Sequence, residues 1–191
     1  GVGLGELLPA TGMPKAAMHD HTYPLGHILT AALWQRCKDD NTLRITVADT
    51  GWAKCAWGKI YGQWICGSAI FVYDMDKFEP LKLVEKICKY QVTGFCAPPT
   101  IYRFLIKEDL SAFDFSHLRH CFTAGEPLNA EVFKRFQDFT GLEILESFGQ
   151  SESTPILGTY PGMIPVPGSM GMPSPGYDIQ LMDADGNVCE E

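Results

Sequence analysis

"RHCFTAGEPLNAEVFKRFQDFTGLEILESFGQSES", residues 119–153, sets two short β-prone runs on either side of one stretch with helical period. The runs at 119–125 and 142–149 are rich in aromatic and branched residues, and each has the length of a single strand. Between them Val132, Phe133, Phe136 and Phe139 recur at helical spacing. Gly141 supplies the stop, because glycine enters the left-handed conformation that closes many helices. Strand, helix and strand in that order imply a crossover, and a crossover joins parallel neighbours. Upstream the same alternation recurs in "RITVAD" (44–49), "SAIFVYD" (68–74) and "VTGFCAPP" (92–99). Pro80 suits a first helical position before the buried stripe Val84, Ile87 and Cys88. The predicted class is α/β, a mostly parallel sheet with helices on both faces.

Residues 52–65 are apolar on nearly every side, which predicts a helix buried between layers or lining a pocket, most of it as core. From Pro155 the composition shifts to proline and glycine, followed by a last predicted strand at 178–183 and the acidic turn "ADGN". The expected organisation is an α/β core over 1–154, containing parts of two subdomains, then a junction and the start of a further β segment over 155–191. The chain stops at "NVCEE" without a capping helix, so the fold is expected to continue past it.

The formal charge of -8 over 191 residues lacks the basic stripe that a phosphodiester backbone requires, so no nucleic-acid partner is expected. Small anions are not excluded, since a few local cations override a distant net charge. The seven cysteines form no CxxC pair and most sit in apolar runs, as buried reduced thiols do, which predicts a cytoplasmic location. No Cys or carboxylate stands at metal-ligand spacing around His19, His21 and His27, so a transition-metal site is not expected. The longest apolar run, 64–73, is about half of what spans a bilayer, so no membrane span is expected. No signal peptide is visible, and the chain reads as soluble.

Open parallel sheets bind ligands beyond the C-terminal ends of their strands. Two exits carry distinctive residues: "TAGEP" (123–127) and "ESFGQSES" (146–153). In the first, Gly125 permits close backbone approach and Pro127 stiffens the turn; an ordinary strand-to-helix turn accounts for them equally well. In the second, Phe148 offers a flat π face, Gly149 bare backbone, Ser151 a hydroxyl and Glu152 a carboxylate suited to Mg²⁺ beside phosphate. A core Phe followed by a polar turn is the plainer alternative.

Taken jointly, "TGMPK" (11–15), "DTGW" (49–52), "TAGEPLN" (123–129) and "SFGQSE" (147–152) resemble the AMP-forming adenylate-forming superfamily, in particular its acetyl-CoA and medium-chain acyl-CoA synthetase branch. The resemblance spans residues 11–187. It implies that Thr11, Gly12 and Lys15 belong to a phosphate-binding loop, with Thr11, Lys15 and Glu152 in catalytic roles. It further implies that Gly125, Glu126 and Pro127 flank adenine, and that Glu146, Ser147, Phe148, Gly149, Gln150 and Ser151 form the second nucleotide-binding segment. Phe148 would stack on the base, Ser151 would contact the α-phosphate and Glu152 would bind Mg²⁺. Phe148 lacks the phenol hydroxyl usual in that motif, and Ser151 lacks a threonine methyl. The front of the phosphate loop departs further: "LLPA" (7–10) replaces hydroxyls and a flexible glycine. Either the loop is degraded or the first ten residues do not represent the native segment; the pattern kept after Gly12 favours the second.

The resemblance implies activation of a carboxylic acid by ATP to an acyl-adenylate and then transfer to coenzyme A. A carboxylate is already ionised at neutral pH, so its attack needs no general base, which agrees with the lack of a Ser/His/Asp or Cys/His set. Amino-acid-activating relatives place an Asp after "DTGW", where this chain has Ala53, so a simple or fatty acid is the expected substrate. Trp52, Trp57, Gly58 and Tyr61 are the candidate pocket residues. The family's downstream Asp, Arg and C-terminal-domain Lys are expected beyond Glu191, and the 191 residues by themselves are expected to be inactive. The competing function is a non-catalytic nucleotide-binding or interaction module that kept the sheet.

Overall fold

A computed structural model of the chain describes residues 4–8, 15–39 and 41–189, with the side chains of 4–8, Lys15, Ala53 and Trp57 outside the description. Strands β1 (Leu4–Leu8) and β2 (Lys15–His19) form an antiparallel hairpin, with Leu8 opposite Lys15. Helix α1 (Tyr23–Leu29) continues into a π-helical turn, Thr30–Trp34, before β3 (Leu43–Thr46). Helix α2 (Ala53–Cys55), a second π-helical stretch Ala56–Tyr61, and α3 (Gly62–Ile65) lead to β4 (Ala69–Ile70). Then follow α4 (Pro80–Lys89), β5 (Gly94–Cys96), α5 (Pro99–Leu105), β6 (His120–Ala124), α6 (Ala130–Thr140) and β7 (Ile144–Phe148). Two short strands, β8 (Leu157–Gly158) and β9 (Met172–Pro173), complete the set.

The main sheet runs β4-β3-β5-β6-β7-β8-β9, parallel from β4 to β7 and antiparallel at β8 and β9. Each expected crossover is therefore present, and the α/β class holds. Residues 157–173 extend this same sheet. The expected strand at 178–183 is reduced to one bridge, Met182 with Val188, across a turn in which Asp183 accepts from Asp185 N–H (2.9 Å) and Asn187 N–H (2.8 Å). That hairpin is exposed along its length, so no packed face extends it.

Alternation along the strands divides the sheet into two faces. Ile45, Phe95, Cys121 and Ile144 meet α4–α6 through Leu83, Ile87, Tyr102, Val132 and Phe136, forming the main core. Helix α6 follows the sequence closely: Asn129 caps it by accepting from Glu131 N–H (2.7 Å), and Gly141 ends it at φ 70°. Phe139, in its last turn, is 37% exposed and leaves the expected stripe. On the opposite face Trp34, Cys96, Phe122 and Leu145 make a smaller cluster. Arg44 is buried there, 5.6 Å from the Phe122 ring centroid, and donates from Nη2 to the Arg36 carbonyl (2.8 Å).

The 52–65 stretch, helical from Ala53, covers this second face and is not sandwiched between layers; it takes the other expected course, with Trp52, Lys54 and Gly58 lining a pocket. Its outer side chains Trp64 (65%) and Ile65 (43%) are exposed, so a run apolar on every side becomes a half-buried cover. Among the described residues no helix is long and apolar enough to cross a membrane, and all seven cysteines are free.

Candidate active site

Ala124 of β6 pairs with Ser147 of β7, so the two exits leave the sheet side by side and at one height. A cleft of about 520 Å³ opens at this end, on the face of Ser147, Cys96 and Trp34. The expected residues Gly125, Ser147, Gly149, Gln150 and Ser151 line it, as do Trp52 and Gly58. Tyr61 does not line it and is 40% exposed. Thr11 and Gly12 lie outside the described residues, as do the side chains of Lys15 and Trp57; the backbone of Lys15 opens β2.

Gly125 sits at φ 101°, a conformation that side-chain-bearing residues rarely adopt. Gly149 is required for a different reason. A Cβ there would stand 2.8 Å from the Thr154 carbonyl oxygen and 2.9 Å from Pro155 Cα, where residues 149–155 fold back along β7. Ile156 N–H donates to the Phe148 carbonyl (2.8 Å) to close that return.

The remaining expected residues stand outside the cleft lining. Phe148 shares the sheet face of Ile144 and Glu146 by strand alternation, is half-buried, and joins neither core cluster. Glu152 is exposed on the turn after β7. Glu146 is buried, and its Oε1 accepts from Leu128 N–H (3.1 Å); burial pushes its carboxyl above the usual range. Glu126 turns to α5, accepting from Thr100 Oγ1 (3.1 and 3.2 Å) and Arg103 Nη2 (2.7 Å), beside the exposed Pro127.

Three groups at the cleft carry no signal that the motifs captured. Lys54 reaches from α2 to donate its ammonium to the Ala124 carbonyl (2.6 Å), 6.0 Å from the Trp52 ring centroid. Burial lowers the Lys54 pKa, with Cys96 and Glu126 opposing. Tyr23 stacks on His19 at 3.6 Å, and its hydroxyl donates to the carbonyls of Ser153 (2.7 Å) and Ser151 (3.1 Å). His19 Nε2 also hydrogen-bonds the Ser151 carbonyl, so the β2–α1 corner orients the loop that bears Ser151 and Glu152. His27, one turn after Tyr23, is buried in the cleft wall, and its pKa is pushed down to about 4 by burial and then by the neighbouring His19. Among the described residues no carboxylate lines the cleft, and Lys54 is its cation.

Adjacent parallel-strand exits that bring bare backbone and a hydroxyl to one cleft have the arrangement of a ligand-binding α/β enzyme domain. Residues 10–191 match the AMP-binding enzyme family, and the chain belongs to that family. Among its relatives are two human proteins. The mitochondrial acyl-coenzyme A synthetase ACSM3 is 38% identical over 179 residues, a match covering 93% of this chain and 30% of that protein. The mitochondrial acyl-coenzyme A synthetase ACSM4 is 39% identical over 179 residues, covering 93% and 31%. In structure the chain is similar to the Brucella canis acyl-CoA synthetase, with TM-score 0.86, 26% identity, and coverage of 97% of this chain and 34% of that one. It is also similar to the anthranilate CoA ligase AuaEII bound to anthranoyl-AMP, with TM-score 0.85, 25% identity, and coverage of 97% and 36%. The chain thus spans about 30% of the length of the relatives it matches.

The mitochondrial relatives overturn the expected cytoplasmic location. Free cysteines do not distinguish the cytoplasm from another reducing interior.

Proposed function

We propose that the chain is a central part of the large domain of an AMP-forming acyl-CoA synthetase, which joins a carboxylic acid to AMP from ATP and then to coenzyme A. What carries this is the register of β6 against β7, which sets Gly125 beside the Phe148–Ser151 segment. The base would lie against Phe148, with Gly125 to Pro127 along its edge, and the phosphates would turn toward Gly149, Gln150 and Ser151. Thr11, Gly12 and Lys15 would complete the phosphate contacts.

The acid would enter the cleft between Trp52, Gly58 and Cys96, drawn by the ammonium of Lys54. The absence of a lining carboxylate among the described residues supports an acid without an amino group, because a buried ammonium with no partner is costly. The carboxylate attacks unassisted by a base, so these residues orient two anions and exclude water. Among the described residues no cluster of three His, Cys, Asp or Glu groups could cage a metal. The exposed carboxylate of Glu152 fits a different donor set, one side-chain oxygen completing a Mg²⁺ otherwise held by phosphate oxygens and water. When bound, that ion would screen the phosphate charge.

Titration of the chain with AMP by calorimetry tests the reading. Saturable binding is expected, weakened about tenfold in Phe148→Ala, since stacking on an aromatic ring contributes roughly 1–3 kcal/mol per base. Equal affinity in Phe148→Ala, or no binding by the parent chain, would overturn it.

A further inference from the structure

The loop between β6 and α6 is tied down at several places, and each tie comes from a different element. Lys54 of α2 holds the Ala124 carbonyl (2.6 Å). Glu146 of β7 holds Leu128 N–H (3.1 Å). Between them, Glu126 reaches α5, the helix that follows the exit of β5. Thr100 Oγ1 donates to both Glu126 oxygens (3.1 and 3.2 Å), and Arg103 Nη2 donates to Glu126 Oε2 (2.7 Å) and to Thr100 Oγ1 (2.7 Å). Three neighbouring strand exits are thereby coupled through one five-residue loop.

The only residue of that loop in the left-handed region is Gly125, and it is the one that faces the cleft. A peptide held there has no side chain of its own to fix it, so its position depends on its flanks. Glu146 is informative here: a carboxylate buried to hold one backbone N–H is an expensive way to gain stability, but an effective way to fix a loop.

We propose that Thr100, Arg103 and Glu126 form a positioning brace that sets Gly125 and Pro127 at the distance the nucleotide base requires. The Glu126 carboxylate, engaged by Thr100 and Arg103, acts through the loop, and only the backbone of Glu126 lies along the base. The proposal rests on the reading that these exits hold an adenine nucleotide. The Arg103–Glu126 pair is partly solvent-exposed, with side-chain exposures of 52% and 41%, so its effect is graded.

The test uses AMP as probe with the chain and three variants: Arg103→Ala, Glu126→Gln, and the exchange Arg103→Glu with Glu126→Arg. Each single variant is expected to bind AMP about fivefold more weakly and to speed amide hydrogen exchange over 125–128, with the melting temperature nearly unchanged. The exchanged pair restores both affinity and protection, which a general loss of packing would not. Unchanged exchange in the single variants overturns the brace without any ligand present. Normal AMP affinity in variants whose exchange is faster also overturns it, while leaving the nucleotide reading intact. A parent chain that fails to bind AMP removes that reading, and this proposal falls with it.

Discussion

His27 shows how much of a site depends on a neighbour that no motif names. Its ring is buried beside Tyr23, with centroids 5.0 Å apart, and stays neutral far below the usual histidine range. Unfolding exposes it to water, where it takes up a proton near pH 6.5, while the folded state resists protonation until about pH 4. The contribution to stability is therefore complete above about pH 6.5 and is lost as the pH falls toward 4, by up to about 3 kcal/mol. Urea midpoints measured across that window should fall steeply for the parent chain and more gently for His27→Gln. Lys54 was equally hard to see, because a single cation in an apolar run looks like a solvated surface group until the fold brings Ala124 to it. Gly125 and Gly149, by contrast, stood out at their exits with an ordinary turn as the equal alternative, and the backbone need of each is structural: a positive φ at 125 and a crowded Cβ position at 149.

Helix α6 is the element the sequence describes best. Cap, apolar stripe and terminal glycine agree with one another, and Asn129→Ala is expected to lower stability by about 1 kcal/mol, read as a lower melting temperature with unchanged far-ultraviolet dichroism. The parallel strands were legible for the same reason, being short buried runs between helices. The pieces that were missed lack such a pattern. β8 is Leu-Gly and β9 is Met-Pro, strands that exist only because β7 offers an edge to β8 and β8 in turn offers one to β9. The β1–β2 hairpin carries no alternation, so the segment before α1 read as loop alone. In 53–65 the run is apolar on nearly every side, so its sequence does not say which side chains face the sheet, and Trp64 and Ile65 are the ones left outward.

Across the molecule the two sheet faces differ in how they are finished. α4, α5 and α6 close one face with a continuous apolar core. On the other, the covering helices keep Leu25 (57%), Leu29 (39%), Leu33 (42%) and Trp64 (65%) exposed, three of them one turn apart along a single helical side. Oily patches of this kind drive association in water. The 191-residue chain should therefore self-associate reversibly as its concentration rises, and Leu29→Glu with Trp64→Glu should return it to monomer in sedimentation velocity. A monomeric parent chain under the same conditions would show that this surface does not drive association.

The pairing of Ala124 with Ser147 also has a bearing on redesign. Hydrogen-bonded strands stand about 4.8 Å apart whatever side chains they carry, so peptide geometry sets the gauge of the slot between their ends. Drift in the rim residues leaves that aperture untouched. A change in what that opening admits must therefore come from the rims, because no single side-chain exchange can move two paired backbones apart.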